Sequence, residues 1–376
     1  MKKYEKRLIL TSITLGALSK FLTNPKLEGK LDTGKWYKVA PDGCLNADGS
    51  KWHGLIKVQN TSKVLIYFYG GGLSIDSFTA SHDMDYLQDG FYYARRSLDG
   101  LEHFGITSSN HDNPFKDYTI LLIPYATGDM HVGNNEYHYK DVLGKEKVLY
   151  HYGYSNFIKY MDMVSKYLKD IKRVVVAGYS AGGFAVPMLM PVIRKQYFPD
   201  VLDFNLLIDA SLLITDKWPS ILKDVWNSPE GIRNIIQSDN LILDSIKNVK
   251  RKYPDTKVMF VCSNKDNILT KYQNYLDNGE FETTSQAVEV FESNLKSFIK
   301  EYSKLEGCYY YIWNNNLGLN DKVTQHTIIA SPQFYVAKYN NKMTVSAWVS
   351  NIINGGEARN IDFEDTVNIK ENSAKD

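Results

Sequence analysis

Six runs of nearly unbroken apolar residues recur along the chain: VLIYFYG (64–70), TILLIPYA (119–126), RVVVAG (173–178), FNLLIDAS (204–211), KVMFVCS (257–263) and YYYIW (309–313). A strand with one wet face alternates apolar and polar residues, whereas a continuous apolar run suits a strand buried on both faces of a parallel sheet. Between the runs lie helical patterns. From Phe157, the residues Tyr160, Met161, Val164, Tyr167, Leu168 and Ile171 hold the three- and four-residue spacing of one helical face. A second helix is predicted over 283–305, with Thr283 and Gln286 as a capping box, Val288, Phe291, Leu295, Phe298, Ile299 and Tyr302 as its buried stripe, and Gly307 as its stop. Strands alternating with helices predict an α/β fold: a mostly parallel central sheet covered by helices on both faces.

Two stretches break the alternation: a polar connection over 76–118 that carries Tyr and His, and a helical excursion over 212–256. Long excursions at the carboxyl ends of strands commonly build a site or a lid over it. The amphipathic set of the second, including Trp218, Ile221, Leu222, Val225 and Trp226, is spaced to pack over something. The ends of the chain differ in character from its middle. Residues 1–30 hold a basic leader and a short apolar run, Leu8 to Leu18, that outlines a signal peptide or an N-terminal helical segment. That run is too short for a stable transmembrane helix. It leaves export, membrane association and an intracellular location equally open. The globular domain is read as 31–355, and 356–376 as a frayed, charged tail.

Chemistry enters where the third run stops. It ends in GYSAGG, so that Gly178, Tyr179, Ser180, Ala181 and Gly182 form G-x-S-x-G directly after a strand and before an apolar stretch. In that setting the chain turns sharply from strand to helix, the serine stands strained at the apex with its hydroxyl exposed, and only glycines fit against the bend. Pro187 and Pro191 predict that the helix after it is short or kinked, since each removes a backbone donor.

A serine needs a base to take its proton and a third group to orient that base. In α/β-hydrolases the acid and then the histidine follow the serine in the chain, each in a loop after a later strand. Of eight histidines only His326 lies beyond Ser180, thirteen residues past Trp313. Two aspartates end later strands: Asp266 after KVMFVCSNK, and Asp209 in LLIDAS. Asp266 is favoured because it lies one strand before the histidine loop, with Asp209 as the alternative. The first long strand ends in Gly70, Gly71 and Gly72, where the N–H groups of Gly72 and Leu73 can converge with that of Ala181 into an oxyanion hole.

GGGLS, NPFKDYTILLIPYATGDMHVGN, GYSAGG, SNKD followed by Gln273, and QHT together resemble the pectin acetylesterase family, which includes the Notum carboxylesterases. The resemblance spans about residues 50–335 and departs at Leu73 and Ser74, where many relatives carry tryptophan and cysteine. It implies an α/β-hydrolase with Ser180, Asp266 and His326 as catalytic residues, Gly72, Leu73 and Ala181 as oxyanion donors, and Gly71 and Asp129 as substrate-binding residues. The implied activity is serine ester hydrolysis without a cofactor, removing acetyl or other short acyl groups from a carbohydrate. The alternatives are a lipid or long-chain carboxylesterase and a non-catalytic binding protein on the same fold.

Composition narrows this little further. A net charge of +1 over 376 residues gives no electrostatic footprint for nucleic acid. Cys44, Cys262 and Cys308 are too scattered for a disulfide framework or a zinc site and are expected as buried fillers. Asp129, His131 and His138 match no metal-ligand spacing, so no metal is expected, and His131 is read as a pocket-wall or hydrogen-bonding residue.

Overall fold

The computed structural model of the protein describes residues 24–82, 93–94, 100–315, 322–338 and 343–362. All six apolar runs are strands: β3 (Lys63–Phe68), β4 (Thr119–Ile123), β7 (Arg173–Tyr179), β8 (Asp203–Asp209), β9 (Lys257–Ser263) and β10 (Cys308–Trp313). They lie side by side in the order β4-β3-β7-β8-β9-β10, every neighbouring pair parallel. Val64 to Phe68, the whole of β4 and Val174 to Gly178 are buried without interruption, which is why their sequences do not alternate.

Two short strands, β1 (Trp36–Val39) and β2 (Gly54–Lys57), extend the sheet antiparallel beyond β4 and complete eight strands. Four residues each are too few for a periodic signal. A separate hairpin of β5 (Asn135–Lys140) and β6 (Glu146–His151) stands off the sheet. Its first strand, NEYHYK, alternates half-buried and exposed residues, the pattern of a strand with one wet face.

Helices Gly153–Val164, Ala181–Tyr197, Leu241–Lys252, Asn267–Asn278, Ser285–Tyr302 and Val345–Ile353 flank the sheet. Three expectations change. The helix after the serine is not short: it runs 17 residues through Pro187 and Pro191. Eleven of its residues are buried, and tertiary packing of that extent overrides the local cost of two prolines. The cap of the helix over 285–302 is Thr284, whose hydroxyl accepts from Ala287 N, one residue later than Thr283. The start of the tail is also ordered. Ile361 is fully buried and pairs parallel to Tyr311, with Ile312 N donating to its carbonyl at 2.8 Å. An edge strand such as β10 offers unpaired backbone groups, and the segment at Ile361 pairs with them.

The leader to residue 23 and the tail from 363 fall outside the described residues. No helix among the described residues is long and apolar enough to cross a membrane. The three cysteines are free and buried.

Candidate active site

The carboxyl edge of the parallel sheet collects the residues with chemistry. Register places Phe68 beside Gly178, Tyr179 beside Asp209, and Ser263 beside Trp313, so the loops that leave β3, β7, β8, β9 and β10 emerge together.

At the end of β7, Ser180 adopts φ 53° and ψ −128°, a conformation that few non-glycine residues hold and that surrounding structure must enforce. A Cβ on Gly178 would collide with the Gly182 backbone, and one on Gly182 with the Phe68 and Tyr69 carbonyls of the neighbouring strand. These two glycines are therefore required by the closeness of three backbones, as the motif predicts. Ser180 N donates to Asp209 O at 2.8 Å, and the Ser211 hydroxyl donates to Ser180 O at 2.8 Å.

Beside it, the loop after β3 carries Gly70, Gly71 and Gly72. A Cβ on Gly70 would meet Ser180 Cβ at 2.7 Å, and Gly72 holds φ +83°, in the left-handed region that favours glycine. Gly71 packs on Tyr125. The side chains of Leu73 and Ala181 point into the core, and Ala181 opens its helix, where the first-turn N–H groups have no partner within the helix. The excursion over 212–256 supports this loop from behind: Trp226 Nε1 donates to Ser74 O at 2.7 Å. Trp218, Leu222 and Trp226 are fully buried and none reaches the cavity described below, so this excursion completes the core and is not a roof.

Asp266 is fully buried and caps helix Asn267–Asn278, its Oδ1 accepting from Ile268 N at 3.0 Å and Leu269 N at 2.9 Å. The same carboxylate receives His326 Nδ1 at 2.8 and 2.9 Å. A carboxylate only accepts, so the proton sits on Nδ1 and Nε2 is the basic nitrogen. That Nε2 is buried with no hydrogen-bond partner among the described residues. The loop bearing His326 is sewn to the Asp266 segment by main-chain bonds, Thr324 N to Lys265 O at 2.8 Å and Asn267 N to Thr324 O at 3.1 Å. Asp209, the alternative acid, does not touch the imidazole. Its Oδ2 accepts from Ile328 N at 2.7 Å and Ile329 N at 2.9 Å.

Ser180, His326 and Gly70 to Gly72 line one cavity of about 250 Å³. Its walls are Tyr69, Tyr125, Tyr179 and Tyr272 with Ala94, Leu101, Pro124 and Ile268. The connection over 76–118 thus contributes Ala94 and Leu101, as expected of an excursion that builds a site. Ile268 and Tyr272 were missed, although their spacing of four, directly after Asp266, puts both on one face of a helix that starts at the site.

Asp129 is placed differently from the substrate-contacting position that the resemblance implies. It lies fully buried and does not line the cavity, and its carboxylate accepts from Thr127 Oγ1 at 2.6 Å, Gly153 N at 2.8 Å and His131 N at 3.1 Å. Burial pushes its carboxyl up to about 6. His131 donates from Nε2 to Tyr69 O at 2.8 Å, and His151 from Nδ1 to Thr127 O at 2.7 Å. Burial lowers both imidazoles to about 4, so they are neutral wall-supporting groups. His138 is exposed on the hairpin, and among the described residues no three His, Cys, Asp or Glu side chains are grouped as a metal would need.

Neither a protein-family model nor a curated protein sequence matches the chain. In structure it is similar to the Wnt deacylase Notum from Drosophila, with a TM-score of 0.57, 13% identity, and coverage of 86% of this chain and 95% of that one. Notum belongs to the family that the motifs resemble, and the architecture the two chains share is the α/β-hydrolase fold.

Proposed function

We propose that the protein is a serine carboxylic-ester hydrolase. The observation that carries this reading is the constellation at the carboxyl edge of the sheet. A strained serine and a histidine line one cavity, and the histidine's Nδ1 is bound to a buried carboxylate while its Nε2 is left without a partner. In this mechanism His326 Nε2 takes the Ser180 proton as Oγ attacks the ester carbonyl. The N–H groups of Gly72, Leu73 and Ala181 stabilise the oxyanion, and His326 then protonates the departing alcohol. Water, activated by the same nitrogen, releases the acid from the acyl-enzyme. Asp266 holds the imidazole in one tautomer throughout. Retention of all these parts weighs against a non-catalytic binding protein.

The cavity also bears on the acyl group. An apolar cavity of about 150 Å³ already holds benzene, so one of about 250 Å³, shared by the acyl and alcohol parts of an ester, has room for more than acetyl. The apolar walls favour an acyl chain of several carbons, each added methylene contributing up to about 0.8 kcal/mol. This moves the reading from the acetyl group implied by sequence toward longer acyl groups. For the alcohol we keep the carbohydrate hydroxyl that the family resemblance implies.

Two measurements test the proposal. A fluorophosphonate probe should label wild type and not Ser180→Ala; an unlabelled wild type overturns the hydrolase reading. On p-nitrophenyl esters, kcat/KM should rise by about tenfold or more from acetate to hexanoate, a difference of about 1.4 kcal/mol. A maximum at acetate would restore the acetyl-esterase reading.

A further inference from the structure

Asp209 is the buried carboxylate next to the site for which the mechanism has no use. It is the last residue of β8, the strand between those that deliver Ser180 and Asp266. We propose that Asp209 is a positioning residue that ties the serine elbow to the histidine loop and so sets the placement of His326 relative to Ser180. The inference rests on the triad reading above.

Both ends of the residue are engaged. Its backbone carbonyl accepts Ser180 N at 2.8 Å and the Ser211 hydroxyl at 3.0 Å, which fixes the elbow on this strand end. Its Oδ2 accepts the main-chain N–H groups of Ile328 and Ile329, two and three residues beyond His326. Between them, Thr327 holds φ 58°, and this left-handed residue turns the loop so that both N–H groups aim at one oxygen. Before His326 the loop is held by the main-chain bonds of Thr324 and by Gln325 N to Asn315 O; beyond it, Ile106 N also donates to Ile329 O. Removing Oδ2 would orphan two buried donors on that side. The bond from His326 to Asp266 could still form, but over a loop free to shift, and small displacements of a catalytic group cost rate more than binding.

The task needs an acceptor, not a charge. Oδ1 is buried without a hydrogen bond among the described residues, and burial raises the carboxyl to about 7. The groups that face it are His326, which favours the charged form, Asp266, which opposes it, and the buried Tyr67 and Cys262. Asparagine can present an oxygen where Oδ2 lies and leave its NH₂ in the place of the unpaired Oδ1. Leucine has similar bulk and no acceptor.

The test compares the full chain as wild type, Asp209→Asn and Asp209→Leu, in ester hydrolysis and in the second-order rate of fluorophosphonate labelling, with circular dichroism to establish folding. Asp209→Leu should lower kcat and labelling rate by about 10- to 100-fold with KM within about threefold, and Asp209→Asn should restore both to within about threefold of wild type. A folded Asp209→Leu with full kcat overturns the inference, as does an Asp209→Asn as damaged as Asp209→Leu, which would assign the work to charge. If the leucine variant does not fold, the asparagine variant still decides: a folded Asp209→Asn that loses more than about tenfold in kcat rejects the acceptor role. A wild type that neither labels nor hydrolyses esters fails the triad reading itself and this inference with it.

Discussion

The ends of β8 and β9 present the same chemistry and do different things with it. Each supplies an aspartate that is fully buried, and each aspartate bonds to the loop of His326. Asp266 meets the imidazole and two helix N–H groups, so its two oxygens have three donors. Asp209 meets only main chain, through one oxygen, and the other has no partner among the described residues. The difference follows from where each chain leaves its strand. The chain runs two residues past the end of β9 before Asp266 caps a helix, which carries the carboxyl out to the side chain of His326. Asp209 ends its strand with no such extension and reaches only the backbone beneath. In the proposed mechanism, position along the exit, and not residue type or burial, separates the orienting acid from the brace. Asp129, after β4, is a third case, saturated by donors.

The largest expected effect tests whether Asp266 acts through the imidazole. Ser180→Ala and His326→Ala should each lower kcat by about 10⁴ to 10⁶, or about 5 to 8 kcal/mol, and Asp266→Asn by about 10⁴. Adding Asp266→Asn to His326→Ala should cost almost nothing more. Additive losses would break the comparison, because Asp266 would then act on something other than His326.

A smaller effect distinguishes the two aspartates that do not touch the imidazole. Both oxygens of Asp129 face donors, so Asp129→Asn must turn an NH₂ against one of them, and its unfolding free energy should fall by about 1 to 3 kcal/mol. Asp209→Asn meets no such donor at Oδ1 and should lose less. Denaturant midpoints rank the two; equal losses would mean that burial alone sets the cost.

The smallest effect is a pH trend. Burial raises the Asp209 carboxyl from 3.8 to about 7, so the folded protein holds a proton there that the unfolded chain has released. Its stabilising contribution is complete below about 4 and is lost as pH rises through about 7. The stability of Asp209→Asn relative to wild type should therefore improve across that window and then level off. A difference that stays flat from pH 4 to 8 would show that the carboxyl is already ionised in the fold.

Much of this was legible in the sequence, for reasons specific to the elements concerned. The six nearly unbroken apolar runs have the length and composition of buried strands, and the glycines of GYSAGG mark backbones too close for a Cβ. With a single histidine after Ser180, the choice of base required no coordinates. Other features gave no local signal. β1 and β2 are short and stabilised by neighbours distant in sequence, and Ile361 finds its strand across some fifty residues. The two prolines of helix Ala181–Tyr197 gave a misleading signal, because propensity is local and the burial that outweighs it is not.

The chain by itself determined which residue types stand at the ends of which strands, since apolar periodicity and tight glycine turns are written in neighbouring positions. Only the tertiary structure decided what each of those residues touches. Chain order favours Asp266 over Asp209, but what each carboxylate touches is decided only when the loop of His326, some sixty residues beyond the nearer one, is laid across both. Hydrogen bonds at that sequence separation depend on angstrom-scale geometry set by the whole packed sheet.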